Sequence, residues 1–341
     1  GGLVLPTGAA HFWPVIDGHA DTLVQSTLEK RSFFQHSSIG HLDLFRLWEA
    51  GIDLQILAIC AEKRSHPYQF TLDLLRDWER AYTIFQTCQT NSGSAPTLIW
   101  IRNKEDFVEW EAECKLGVIL ALEGLEPLEG KVQRLIEFYQ LGVRIISLTW
   151  NWDNPFASGV NCERDSGLTA LGRTAVRLAE ELGYIVDLAH LGYNSFFDVL
   201  EVAEQPVLVS HANVFNLCPH RRNLKDEQIK AIAETGGTVG LTFYPPFINK
   251  GQVGIGELVK HLDYLLQGWG EELPAMGGDF DGIEVTPSNL RSVLDLERLI
   301  RYLHAQGLSL QTTGSFLGGN LYRVLKRSFS APDQSFFHPD R

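Results

Sequence analysis

No apolar run in this chain approaches the roughly 18 residues that a membrane-crossing helix needs, so a membrane-embedded protein is not expected. Runs of Lys and Arg are also missing. The 29 basic side chains stand against 42 acidic ones, for a net charge of −13. That balance excludes nucleic acid and anionic membrane surfaces as expected partners. There is no Cys-x-x-Cys pair. The five cysteines, Cys60, Cys88, Cys114, Cys162 and Cys218, are odd in number and scattered. Reduced thiols and a cytoplasmic setting are the simplest expectation, with two disulfides as the alternative. No secretory leader is visible, and Gly at the first position is compatible with a tag remnant or a trimmed leader. Internal repeats and low-complexity segments are absent as well.

What is present is a strand–helix alternation. Of the 341 residues, 44% are hydrophobic and 21% charged, enough for a sizeable core. Eight short apolar segments read as strands: 15–17, 53–59, 118–122, 144–149, 185–188, 207–210, 238–242 and 275–278. Most are near-continuous apolar runs, the pattern of strands covered on both faces. Gly51, Gly117, Gly142, Gly183 and the pair Gly236–Gly237 precede strands, where glycine closes a helix in the left-handed conformation. Amphipathic periodicity predicts helices over 69–89, 130–140, 169–182, 226–235, 255–266 and 309–325. This alternation implies one (β/α)8 TIM-like barrel domain over residues 1–341, a length that such barrels reach as a single unit. Residues 329–341, with Pro332 and Pro339, are expected to form a loose extension. An open doubly wound sheet is the structural alternative.

In such barrels the chemistry sits at the carboxyl ends of the strands. Five of the eight expected strand ends carry His, Asp or Glu: His19 and Asp21, Glu123, His190, His211, and Asp279 with Asp281. Imidazole and carboxylate are good ligands for divalent metals. His19 and Asp21, two apart on a strand end, share a face and could hold one ion. His190 and His211, from adjacent strands, could hold a second, with Glu123 bridging. Two ions about 3.5–4 Å apart can share a hydroxide and polarise a carbonyl. Each residue has a plainer reading. His190 could be a buried structural histidine, Glu123 a helix cap, Asp281 a turn residue or a support for the ligands. The set taken together resists such readings, because several carboxylates buried at one mouth without a cation repel one another.

These residues resemble the membrane (renal) dipeptidase family of the amidohydrolase superfamily, from about residue 14 to residue 324. The matching segments are Pro14-Val15-Ile16-Asp17-Gly18-His19-Ala20-Asp21, Leu122-Glu123-Gly124, Asp187-Leu188-Ala189-His190, Ser210-His211, Arg221-Arg222-Asn223, Gly277-Gly278-Asp279-Phe280-Asp281-Gly282 and the closing Gly319-Asn320-Leu321-Tyr322-Arg323-Val324-Leu325. The resemblance implies two Zn2+ ions, other divalent metals being possible. His19 and Asp21 would bind one, His190 and His211 the other, and Glu123 both. It implies a bridging hydroxide as nucleophile, Asp279 as general base and then acid, and Arg222 as the site for the substrate's C-terminal carboxylate. Tyr244 matches a position lining the substrate pocket. Dipeptides with a free C-terminal carboxylate, including L-Xaa-D-Xaa, are the implied substrates, and a homodimer the implied assembly.

The sequence departs from that pattern at Ser147-Leu148-Thr149-Trp150-Asn151, where the family has a histidine that holds the substrate carbonyl oxygen. Trp150 stands there, and an indole offers a single donor and no cation. Asn151, Asn154 or the Trp150 N–H has to replace that donor, or the substrate differs. Two rival readings follow: another amidase, acting on N-acyl amino acids or β-lactams, and a metal-containing binding protein without catalysis.

Overall fold

Strands made almost wholly of Val, Ile, Leu and Ala need cover on both faces, and a parallel barrel inside a ring of helices provides it. The computed structural model describes residues 13–89, 96–113 and 115–331. Its described strands are β1 (Ile16–Ala20), β2 (Leu54–Ile59), β3 (Leu98–Trp100), β4 (Leu116–Glu123), β5 (Val143–Ser147), β6 (Ile185–Asp187), β7 (Leu208–Val209), β8 (Thr238–Leu241) and β9 (Pro274–Met276). All pair in parallel. The neighbour order β2-β1-β9-β8-β7-β6-β5-β4 is closed by pairing of β2 with β4 from Leu54↔Gly117 to Ile59↔Leu122. Eight strands therefore close the barrel expected from the sequence. The unforeseen β3 pairs with the first residues of β4, Leu98↔Leu116 to Trp100↔Val118, before β5 joins at Leu120. Three residues carry too little periodicity to show as a strand in sequence.

Alternation sorts the strand residues into two cores. Ile16, Leu54, Ile56, Ala58, Ile119, Ala121, Ile145, Ile185, Leu208 and Ala275 fill the barrel interior. Leu57, Ile59, Leu120, Leu122 and Ile146 pack outward against the helices. The last helix, Asn320–Phe329, turns Leu321, Val324, Leu325 and Phe329 onto the interior cluster and plugs its floor. The expected single helix over 309–325 is broken: Leu310–Gly314 leads through a π turn, Ser315–Gly319, into that last helix. The expected helix over 69–89 runs Pro67–Cys88, with Pro in its first turn, where no N–H is needed. Gly51, Gly142, Gly183 and Gly236 take the expected left-handed conformation. Gly117 does not: it lies inside β4, where a Cβ would stand 2.9 Å from Ile101 Cδ1, so close packing accounts for it. Phe329, the first residue of the expected loose extension, is instead the last residue of a helix. Residues 332–341, like the first twelve, lie outside the described residues. Among the described residues no helix is long and apolar enough to cross a membrane, and Cys60, Cys88, Cys162 and Cys218 are free.

Ile119, fully buried in the interior cluster, reports on this packing. Ile119→Ala is expected to cost about 2–5 kcal/mol of stability in chemical denaturation. A loss below about 1 kcal/mol would contradict a tightly filled barrel.

Candidate active site

The upper rim receives its side chains in the order the strands deliver them. The β1–β2 register shifts between Asp17 and Ala20, and within that irregularity His19 stands at the mouth. Asp21 follows as the first residue outside β1, at the N-cap position of the helix Thr22–Leu28 but with no side-chain capping bond. Glu123 ends β4 on the inward parity of Ile119 and Ala121. His190 comes three residues after β6 and His211 two after β7. His190 (φ 70°), Asp279 (φ 66°) and Asp281 (φ 65°) are all left-handed, a strain that gathers at functional sites and is held there by surrounding bonds. Here the Asp279 N–H donates to His19 O (3.0 Å) and the Asp281 N–H to His41 Nδ1 (2.8 Å).

Three overlapping groups could each hold a cation: His19 with Asp21 and Glu123, Glu123 with His190 and His211, and His19 with His211 and Asp279. His19 Nε2 lies 2.5 Å from Glu123 Oε2, 3.5 Å from Asp21 Oδ2 and 3.6 Å from Asp279 Oδ1. His190 Nε2 is 3.6 Å from Glu123 Oε1. Yet His19 Nε2, Glu123 Oε2 and Asp21 Oδ1 are buried without a hydrogen-bond partner. They approach one another without being aligned as donor and acceptor, the arrangement expected of atoms aimed at a common ion.

The two remaining imidazoles state the case most clearly. His190 Nδ1 is 2.7 Å from Asn151 Oδ1, an acceptor, so that nitrogen carries the proton. His211 Nδ1 faces Ser210 Oγ at 2.8 Å. The two Nε2 atoms face each other 3.0 Å apart. Burial first, then Arg222 and His19, hold His190 well below its ordinary pKa; burial, then His19 and Arg222, do the same for His211. With the Ser210 hydroxyl accepting from His211 Nδ1, both Nε2 atoms offer lone pairs to a common cation, which imidazole nitrogens hold at about 2.0–2.1 Å. At His19 burial acts downward, but the carboxylates of Glu123 and Asp21 outweigh it and hold the ring well above its ordinary value. The pocket calls for positive charge, and this donor set fits divalent metal ions.

Supporting contacts hold the ligands from behind. Asn151, expected from the sequence to meet substrate, is placed against the outer nitrogen of His190. Asp187 accepts from Ser147 Oγ (3.1 Å), the Ala189 N–H (3.0 Å) and the Ser210 N–H (2.9 Å), tying three strand ends together. Asp17 accepts from Gln55 Nε2 (2.7 Å) and the Gly278 N–H (2.8 Å). Asp281 accepts from Thr22 Oγ1 and the His41 N–H, each 2.7 Å, and pairs with Arg31 at 2.9 Å. Asp17 and Asp187 both sit within recognisable sequence segments, but their bonding partners come from distant strands.

Around the cluster stand the groups able to meet a ligand. Arg222 is buried; its Nη2 donates to His211 O (2.8 Å), while its Nε has no partner. Burial pushes this guanidinium below its usual value, Asp279 and Glu123 opposing. Burial, then Asp21, raise the Asp279 carboxyl well above the usual range. Tyr244, half-buried, donates to Glu284 Oε1 at 2.5 Å. Trp150 lies 6.1 Å from the His190 ring, with Lys63 Nζ 4.8 Å over its face. Not foreseen from sequence are Glu62 and Glu126. Each has one buried oxygen without a hydrogen-bond partner, and burial, then Glu126, push Glu62 up to about 7. Cys60, just past β2, is held well above its ordinary value by burial, then by Glu123 and Asp21, so it stays an unreactive thiol.

Comparison with known proteins adds to this geometry. The sequence profile of the membrane dipeptidases, peptidase family M19, matches residues 10–335. An uncharacterized dipeptidase of Schizosaccharomyces pombe is 30% identical over 341 residues, covering 94% of this chain and 83% of its own length. The solved structure of the dipeptidase AC, a metallopeptidase of family M19, is 26% identical, with a TM-score of 0.82 over 93% of this chain and 99% of its own. A metallopeptidase from Rhodobacter sphaeroides, solved with a phosphinate mimic of the dipeptide L-Ala-D-Ala, has a TM-score of 0.81 at 24% identity, over 92% and 99% of the two chains. That last likeness bears on the fold.

Gly282 tests the cluster from the side. A Cβ there would stand 2.0 Å from Asp21 Oδ2 and 2.3 Å from Asp279 Oδ1. Gly282→Ala is therefore expected to displace both carboxylates and weaken binding of added Zn2+ by about 10–100-fold, measured by metal titration. Unchanged affinity would separate these carboxylates from any metal site.

Proposed function

The chain belongs to the membrane dipeptidase family, and we propose that it hydrolyses dipeptides bearing a free C-terminal carboxylate, using two divalent cations. His19 and Asp21 would hold one cation and His190 and His211 the other, with Glu123 standing between the two groups. Zinc suits the imidazole-rich donor set. The observation that carries this reading is the facing of the buried His190 and His211 Nε2 atoms, 3.0 Å apart, beside a buried Arg222 whose Nε is unsatisfied. Bound cations at such a centre acidify a water molecule and polarise the scissile carbonyl.

The protein's own groups supply the rest. Arg222 receives the C-terminal carboxylate, which satisfies the free Nε and neutralises a buried cation. Asp279, a carboxyl already biased toward protonation, takes the proton of the attacking water and returns it to the departing amine. Glu62 and Glu126, after β2 and β4, stand on the barrel wall away from the β7–β8 loop that carries Arg222. Their unsatisfied oxygens suit the ammonium end of a dipeptide. Asn151 keeps His190 in its ligating tautomer, and Trp150 and Tyr244 line the pocket. The family resemblance extends the reading to L-Xaa-D-Xaa substrates and to a homodimer, and the free thiols favour a cytoplasmic setting. Trp150 in place of the family's histidine favours one rival, an amidase for other carboxylate-bearing amides such as N-acyl amino acids.

Asp279→Asn is expected to retain bound metal while losing about 10²–10⁴ in kcat on L,L- and L,D-dipeptides; normal turnover in that variant would remove Asp279 from the proton traffic. Dipeptides should also outperform their C-terminal amides by about a hundredfold or more in kcat/KM, with the gap collapsing in Arg222→Gln. Equal rates for acids and amides in the unmodified enzyme would sink the carboxylate role. Preference for N-acyl amino acids over dipeptides in the same panel would select the rival amidase.

A further inference from the structure

One cleft lies away from the metal cluster. It has a volume of about 720 Å³ and lies at the opposite pole, where β5 and β6 begin. That volume is within the range of small-molecule sites. Its apolar wall comes from Ile136, Leu178, Ile185 and Phe329, and its basic groups include Arg102, Arg144 and Arg327.

Arg144 is the unusual member. It is only 8% exposed. Its Nε donates to Arg102 O (2.5 Å), and its Nη1 to Tyr139 O (2.6 Å) and Val143 O (2.8 Å). Every acceptor is a neutral carbonyl, and the guanidinium lies over the Tyr139 ring at 3.6 Å. Among the described residues no carboxylate is within ion-pair distance of it, and its Nη2 makes no hydrogen bond. A buried cation without a counter-charge is costly. Beside it, Arg102 Nε is buried without a hydrogen bond, 3.6 Å from Asp106, whose charge also reaches Arg144. The acids on the cleft wall do not answer this need. Glu180 already accepts from the Glu204 and Gln205 N–H groups, and Glu105 and Glu181 are exposed.

We propose that this cleft is a second ligand site, which takes an organic anion with an apolar body and pairs the anionic head with Arg144 and Arg102. An apolar wall beside a buried, charge-unpaired guanidinium selects that chemistry over a neutral lipid, which would leave the cation unanswered, and over a bare inorganic anion, which would leave the wall wet. The site is separate from the metal rim, so its occupant is not the substrate in transit.

Anilinonaphthalene sulfonate, an aromatic anion with its own fluorescence, probes the site in the full chain. Saturable binding with one probe per chain is expected, undiminished by saturating dipeptide. Arg144→Gln should weaken it about tenfold, the loss expected for a charged hydrogen bond. Leu178→Trp fills the cleft without touching the Arg144 bonds and should abolish binding while dipeptide turnover stays within about twofold, since the cleft lies far from the rim. Leu178→Trp keeps the test alive if Arg144→Gln fails to fold. Wild-type probe affinity in Leu178→Trp, or displacement of the probe by dipeptide, overturns the proposal. So does binding that appears only after removal of residues 332–341, which would assign the cleft to the chain's own C-terminal segment.

Discussion

One electrostatic conflict governs the upper half of this molecule. Asp21, Glu123 and Asp279 converge with three imidazoles at a single rim, and all but Asp21 are buried. Carboxylates repel when brought together out of water. Nothing in the hydrocarbon packing below requires these groups to meet. The backbone nonetheless accepts three left-handed non-glycine residues there, and glycine at position 282, to bring them together. A fold maintains such an arrangement when something absent from the polypeptide, here positive charge, completes it.

The supporting contacts fit that view. Asp187 and Asp17 are buried carboxylates that bind N–H and hydroxyl donors across neighbouring strands, and neither faces the cluster's open side. Asp281 fastens the loop carrying Arg31 and His41 to the helix after β1. These three acids are tethers. The neighbouring Asp21, Glu123 and Asp279 have the same chemistry but retain unsatisfied or strained geometry. The distinction between structural and functional carboxylates thus lies in whether their lone pairs are already occupied.

That distinction bounds what the sequence alone could reveal. The barrel was legible because long apolar runs and Gly-closed helices repeat along the chain. The rim residues were legible because strand parity and strand ends place His19, Glu123, His190 and His211 on one side. What escaped depended on tertiary contacts between distant segments. β3 is three residues long and exists because β4 begins before β5 joins it. Gly117 reads as a helix stop but serves close packing beneath Ile101. Asn151 reads as a substrate donor, yet its oxygen is spent on His190, 39 residues downstream, and no local pattern announces such a partner. Glu62 and Glu126 look like ordinary loop acids until the fold buries an oxygen of each.

Arg222 links the two halves of the chemistry. Its Nη2 lies 3.5 Å from His190 Nε2 and donates to the His211 carbonyl, so its charge helps keep both rings unprotonated, as ligation requires. The same charge leaves an unsatisfied N–H for an incoming carboxylate. A substrate anion that engages Arg222 therefore also relieves part of the field on the imidazoles beside it. In the proposed function, carboxylate recognition and the electrostatics of the histidines would then be one coupled property of the rim. A Lys at position 222 could carry the charge but could not present a planar fork to both the main chain and the ligand. Trp150 stands apart from this coupling, because it forms the wall beside His190 and is none of the groups that set its charge.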